Sequence, residues 1–467
     1  MVFNSFEFIL FFLVFYPIFL VFPASFRWFW LLISSWFLYA AFNPEYIILL
    51  LLLTLVDYYC GKEIHRRNQT AKKIFLVISL LCNIGILVFF KYLGFFSGII
   101  GSIFNISIQS GLLLALPIGI SFHTFQGMAY VIDIYRGTAK PEPRFGIFAL
   151  YISIFPQLVA GPIERAQHLI PQLKEKFYLT LACFKEAIAL ILVGCVKKLA
   201  IADNLGIVVN VFYDVDKPYD FNGSTLVIAT IFYGFQLYCD FSGYVDIARG
   251  LAKLLGVDFV INFNKPYFST TVTDFWRKWH ISLSTWVRDY LYIPLGGNRK
   301  GLSRQIINLL VTMTAMGLWH GANLTFVVWG AYHGLLLAAH KLISVVRVKF
   351  FLPLALPAVI SGILTFVFVN LGWIFFRSRD IGESLKIMEK IFSPSLFQLP
   401  QYSDGMLLGF WLTAGLLFAE ILDIKFKLKK ILVEVNPFFF SLVCALLLYF
   451  VIFLSAKNTV NFIYSQF

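Results

Sequence analysis

Residues 273–301 read TDFWRKWHISLSTWVRDYLYIPLGGNRKG, and residues 317–334 read GLWHGANLTFVVWGAYHG. These two pieces concentrate charge and polarity inside a chain that is otherwise mostly apolar. Two histidines stand out. His280 and His320 sit among Trp, Ile and Leu, where an imidazole is costly unless it is hydrogen-bonded or put to use. Apolar runs long enough to cross a bilayer flank the pair of motifs, so the fold question is how membrane helices present them.

Moving outward, the 467 residues are 59% hydrophobic and 13% charged, with a mean hydropathy of +0.80. No soluble domain buries that much apolar surface, and the composition predicts an all-α, multi-pass membrane protein. The net charge of +13 is scattered through short loops between apolar runs. That is the pattern of loop charges that orient membrane helices, and it argues against nucleic acid as a partner. The start, MVFNSFEFILFFLVFYPIFLVFP, has no basic residue ahead of its apolar run and no small-residue cleavage site. It is read as a first spanning helix and not as a cleaved leader. The six cysteines are far apart and lie mostly in apolar runs, without metal or disulfide spacing, so they read as small buried hydrophobes.

Spans are expected near 5–23, 27–42, 45–60, 74–93, 114–134, 145–160, 179–196, 223–243, 305–320, 323–343, 355–376, 406–423 and 438–456. Several are short or interrupted, and about eleven are expected to cross. No internal repeat or linker is visible, and 1–467 reads as one membrane domain with its core near 223–345. Lys62, Arg66, Arg67, Lys72 and Lys73 place the 61–73 loop in the cytoplasm. Arg277, Lys278, Arg288, Arg299, Lys300 and Arg304 do the same for 277–304, and Lys425, Lys427, Lys429 and Lys430 for a later loop. The uncharged 94–113 segment and the acidic 213–222 loop (Asp214, Asp216, Asp220) fit the far side, which puts both termini outside. Between 136 and 213 the pattern is weakest, and a re-entrant or half-inserted segment fits there.

Pro266 biases its surroundings away from helix, and Thr273 or Asp274 then caps a helix running to about Arg288. On that helix Trp276, His280 and Ser284 form one stripe. The spacing leaves two readings open for His280: an imidazole bonding a neighbouring carbonyl in an interfacial aromatic helix, or a working group. For His320, near the end of an apolar helix, the alternatives are a hydrogen bond that joins two helices and a general base kept neutral by burial. His333 and His340 share a helix face and read as structural, and Gly330 with Gly334 forms a small-xxx-small pair for close helix packing. No carboxylate or cysteine spacing supports a metal shared by His280, His320 and His333. His123, Gln126, Asp133, Gln157, Glu164, Arg165, Gln236, Asp240, Asp246, Asn262 and Asn264 are polar residues in apolar context, which can coat a tunnel or brace helices.

Both motifs, together with LPIGISFHTFQGMAYVIDIYRG (116–137), FPQLVAGPIER (155–165), YGFQLYCDFSGYVDIARG (233–250) and the terminal NFIYSQF (461–467), resemble the membrane-bound O-acyltransferases. The resemblance covers nearly the whole chain and is narrowest to the bacterial branch that serves alginate O-acetylation. The D-alanyl transferases of teichoic acid are more distant. Neither histidine motif departs from the family pattern, and Ser465 is a minor difference. The resemblance implies a ring of tilted helices around a thinned centre, with a tunnel through which a cytoplasmic donor meets an outside acceptor. It assigns the family's buried histidine to His320 and its second, more polar one to His280. It further implies an acyl thioester such as acetyl-CoA as donor substrate, no bound cofactor, an exported polysaccharide as acceptor, an extracytoplasmic acetyltransferase as partner, and a place in the cell inner membrane. Arg277, Lys278, Arg299 and Lys300 are the candidates for holding the donor's phosphates. The rival expectation is a transporter whose polar residues line a substrate path.

Overall fold

The computed structural model describes residues 3, 5–104, 117, 119–158, 160–350, 356–456 and 462–463. The terminal Ser465, most of the uncharged 94–113 segment's second half and the start of the span expected at 114–134 lie outside the described residues. The secondary structure is helical, with no strand among the described residues. Two compact units emerge, Met1–Ile191 with Tyr244–Val260, and Leu192–Gly243 with Ile261–Phe467.

Among the described residues, six helices are long and apolar enough to cross a membrane: Gln69–Gly98, Gly223–Leu254, Leu324–Val346, Ala358–Arg377, Met406–Phe426 and Pro437–Leu454. Their apolar surface is unevenly hidden. On Pro437–Leu454, Phe438, Phe439, Leu446, Ile452 and Phe453 are exposed and only Phe440 and Val451 are buried. In a protein that must satisfy its backbone internally within lipid, such a helix presents its side chains to acyl chains. Gly223–Leu254 is the opposite case, mostly buried on all sides. Other apolar helices are short: Phe6–Val21 has 16 residues, Arg27–Ala40 has 14 and Ile120–Tyr135 has 16.

In the first unit, polar residues brace helices. Asp57 on Tyr46–Arg66 accepts hydrogen bonds from Ser79 (2.6 Å) and Asn83 (2.9 Å) on the next helix. Gln126 donates to the Tyr151 carbonyl (2.6 Å), and Gln157 donates to Gln126 Oε1 (2.9 Å) and the Pro162 carbonyl (2.8 Å). Glu164 accepts the Val260 N–H (2.6 Å). For these residues the structure favours bracing over tunnel lining. The weak segment after 136 is a broken helix. Phe145–Ser153 stops at Ile154, Phe155–Leu158 adds one turn, and residues 161–164 are buried and non-helical. Irregular backbone survives burial here because side chains such as Gln157 meet its polar groups.

The second unit is built around the antiparallel pair Gly301–His320 and Leu324–Phe350. Glycine sets their approach. A Cβ on Gly317 would lie 2.1 Å from the Phe326 carbonyl oxygen, and one on Gly330 would lie 2.3 Å from that of Met313. Backbone meets backbone, and no side chain fits. At Gly334 the corresponding distance to Leu310 Cα is 3.1 Å. Gly330→Leu is therefore expected to separate the pair and sharply reduce both membrane accumulation and the melting temperature in detergent, whereas Gly334→Ala costs much less. Equal melting of the two variants would contradict this account of the packing.

One expectation is corrected. The helix after Pro266 does not run unbroken to Arg288. Thr271, and neither Thr273 nor Asp274, caps Val272–Lys278, and a second helix, Ile281–Val287, begins after a break at Trp279 and His280. Trp276, His280 and Ser284 consequently do not form a stripe.

Candidate active site

The break shapes the site. His280 adopts φ +43°, ψ +56°, a left-handed conformation uncommon outside glycine but enriched in Asn, Asp and His. Asn262 makes the kink tenable from 18 residues upstream. Its backbone carbonyl accepts the Ile281 N–H (2.9 Å), and its side-chain Oδ1 accepts both the Ser282 N–H (3.0 Å) and the Ser282 hydroxyl (2.9 Å). The left-handed residue cannot cap the new helix with its own side chain, so Asn262 performs that service.

Asn262 Oδ1 also lies 3.3 Å from His280 Nδ1. The Ser282 backbone N–H can only donate, which fixes the amide orientation with its oxygen toward the histidine. Nδ1 therefore carries the ring proton, and Nε2 carries the lone pair. His280 is fully buried, and burial lowers its pKa to about 3, so the ring is neutral at physiological pH. Phe241 meets it edge-on at 4.8 Å between centroids, Phe263 lies at 6.4 Å and Trp319 at 6.3 Å.

His320 is the last residue of Gly301–His320, and Gly321 continues in an extended conformation. A Cβ on Gly321 would lie 2.1 Å from the Phe326 ring, so any larger residue at this turn must displace that ring. The imidazole is buried against Trp319 (4.9 Å), Trp329 (5.1 Å) and Phe376 (5.4 Å). The two histidines thus share one ring, that of Trp319. His320 stands at the C-terminus of a 20-residue helix, the end at which the helix dipole favours positive charge.

The four basic candidates are more dispersed. Arg277 is exposed, and Lys278 pairs with Asp274 (2.7 Å), both on the short helix that precedes His280. Arg299 and Lys300 are exposed at the start of the helix that ends in His320. Twenty residues at 1.5 Å each separate them from that histidine by about 30 Å. His340 Nδ1 lies 3.0 Å from the Thr273 hydroxyl. His333 is enclosed by Trp276 (5.1 Å) and Trp329 (5.0 Å). No group of three His, Cys, Asp or Glu among the described residues could hold a metal ion.

Sequence reasoning named Asn262 as polar but did not pair it with His280. The partnership depends on a kink with no periodic signature. It also missed Trp319, which reads as one more helix aromatic, and the buried ion cluster of Lys198 with Asp203 (2.8 Å) and Asp240 (2.7 Å). Asp240 precedes Phe241 on Gly223–Leu254 and accepts the Ile463 N–H (2.8 Å).

The chain as a whole matches known sequences. The profile of the membrane-bound O-acyltransferase family matches residues 142–378. The "Probable alginate O-acetylase AlgI" of Pseudomonas aeruginosa is 36% identical over 91% of this chain and 81% of its own length. The "Peptidoglycan O-acetyltransferase" of Helicobacter pylori is 35% identical over 77% of this chain and 72% of its own length. The "Teichoic acid D-alanyltransferase" of Bacillus subtilis is 27% identical over 56% of this chain and 69% of its own length. The chain belongs to the membrane-bound O-acyltransferase family. It is a multi-pass membrane enzyme of the acyltransferase class.

Proposed function

We propose that this enzyme moves acetyl groups from a cytoplasmic thioester, acetyl-CoA or an equivalent donor, for O-acetylation of an exported or cell-surface polysaccharide at the inner membrane. The observation that carries this reading is the His280–Trp319–His320 arrangement, set in a chain similar over most of its length to the alginate O-acetylase. In the chemistry, His320 takes the proton of an acceptor hydroxyl as its oxygen bonds to the thioester carbonyl carbon. The C–S bond then breaks, and the proton leaves with the thiol, giving one ester and one thiol. Neutral His280, with its Nδ1–H held by Asn262, presents an accepting Nε2 and continues the proton path. Arg277, Lys278, Arg299 and Lys300 hold donor phosphates at the inner mouth.

A further part of the proposal is a ring of about eleven helices around a thinned centre, crossed by a tunnel. The 14- and 16-residue apolar helices support it, since 14 residues rise only about 21 Å against a hydrocarbon thickness of ~30 Å. A tunnel passes the acyl group while the charged donor and the glycan stay on their own sides, and an extracytoplasmic acetyltransferase completes delivery. Peptidoglycan is the second reading for the acceptor, favoured by the likeness to the Helicobacter enzyme.

The test uses sealed membrane vesicles that expose the cytoplasmic face, loaded with acceptor polysaccharide and given acetyl-labelled thioester outside. Thiol release matched by labelled ester on the enclosed glycan is expected. Solute flux without thioester consumption would overturn the reading in favour of a transporter, and ester formed only on added peptidoglycan would select the second acceptor.

A further inference from the structure

The first unit contains a cleft of about 190 Å³ that the acyl-transfer chemistry does not use. Its floor is apolar and comes from two helices: Trp28 and Leu31 on Arg27–Ala40, Ile147 and Leu150 on Phe145–Ser153. The floor is fitted. A Cβ on Gly146 would lie 2.5 Å from the Trp28 indole, so glycine there lets the ring lie flat against the neighbouring helix. The rim is basic, formed by Arg27, Arg144, Lys174 and Lys176 with Glu175 as the one carboxylate in the lining.

These cations are held in place. Arg27 donates to the carbonyls of Leu20 (2.8 Å), Phe22 (3.1 Å) and Phe177 (2.8 Å), which leaves two of its five N–H groups for a ligand. Buried Glu142 stands behind the rim and pairs with both Lys174 and Arg144. Lys176 makes no ion pair among the described residues. Four cations against Glu142 and Glu175 leave a surplus of two positive charges around a small apolar cavity.

Its position is also defined. The Tyr58 hydroxyl donates to the Pro143 carbonyl (2.6 Å) and the Tyr58 ring packs on Phe145 (5.2 Å), so the cleft lies near the C-terminal end of Tyr46–Arg66. That end turns at Arg67 and Asn68 into the next helix, and the basic cluster around the turn, Lys62, Arg66, Arg67, Lys72 and Lys73, argues for the cytoplasmic face. On the segment that carries Arg27 and Trp28, Phe26, Phe29 and Ile33 are exposed apolar residues.

We propose that this cleft binds an anionic phospholipid of the inner leaflet, with its phosphate and anionic headgroup among Arg27, Arg144 and Lys176 and the upper part of an acyl chain on Trp28 and Leu31. A basic pocket between membrane helices on the cytoplasmic side suits an anionic headgroup. The apolar floor, with exposed apolar residues on the same segment, favours a lipid over a soluble phosphate ester.

The full-length protein, extracted from bilayers of equal phosphatidylglycerol and phosphatidylcholine, is to be weighed with its retained lipids by native mass spectrometry. Retained phosphatidylglycerol should exceed phosphatidylcholine by about tenfold. The preference should vanish in Arg144→Gln/Lys176→Gln, which removes charge, and in Ala24→Trp, which fills the cleft and leaves the charges. Equal retention of the two lipids by the wild type, or an unchanged preference in either variant, would overturn the proposal. Displacement of bound phosphatidylglycerol by coenzyme A, but not by inorganic phosphate, would reassign the cleft to a soluble donor.

Discussion

His320→Gln is expected to reduce acetyl ester on the glycan by about 10²–10⁴-fold with protein levels unchanged, the usual range for loss of a general base. Glutamine keeps most of the volume that packs on Trp319, Trp329 and Phe376 and preserves hydrogen-bonding capacity, but it cannot take a proton. It therefore separates chemistry from packing better than His320→Ala, which also leaves a hole among three aromatic rings. The two variants should lose similar activity if the proton transfer is what matters. Alanine should lose far more if His320 is only a wedge. Full ester levels in the glutamine variant, with normal membrane expression, would end the general-base assignment. The helix C-terminus adds a second reason to expect a large effect: the imidazolium formed during transfer sits where the helix dipole favours positive charge.

The sequence made the helices legible because lipid imposes a length and a composition that any reading can count. Gly223–Leu254, Ala358–Arg377 and Met406–Phe426 fall where the apolar runs place them. Gly330 was legible as a packing glycine for the same local reason. Both histidines were visible because an imidazole inside an apolar run is costly. The kink at His280 was not visible. Helical periodicity continues across residues 275–287, and a single left-handed residue leaves no trace in a pattern of apolar positions. What holds it there, Asn262, acts from outside the helix, and hydrophobic spacing carries no information about such a partner. The correction matters for chemistry. On an unbroken helix His280 would share a face with Trp276. The kink instead turns it to Phe241 and Trp319, while Trp276 packs on His333.

Lys198 was hidden for another reason. It follows an apolar run beside Lys197, and such a pair ordinarily marks a helix end at the inner surface. Here the chain continues as a π-helix, Val196–Ala202, whose wider turn brings residues five apart onto one side and so lines Lys198 up with Asp203. The third member, Asp240, comes from a different helix.

Replacing this lysine should produce a large stability loss. Lys198 Nζ lies 2.8 Å from Asp203 and 2.7 Å from Asp240, and all three side chains are at most 5% exposed. Lys198→Met keeps the length and apolar stem but leaves two buried carboxylates facing each other, with the Ile463 N–H as a donor to Asp240. Removing one partner from a buried ion group costs about 3–5 kcal/mol because the remaining charge is stranded. Asp203→Asn is a different case, since it leaves one lysine with one carboxylate and an amide that can still accept, so its loss should be much smaller. This asymmetry is the diagnostic, read as melting temperature of the detergent-purified protein. The cost should also reach the site, because Asp240 is adjacent to Phe241, whose ring lies 4.8 Å from that of His280. Freed from Lys198, that turn of helix loses the anchor that sets the wall of the histidine pocket, and acetyl transfer should fall further than the amount of folded protein. If Lys198→Met melts with the wild type, the three groups are hydrated in the membrane and anchor nothing.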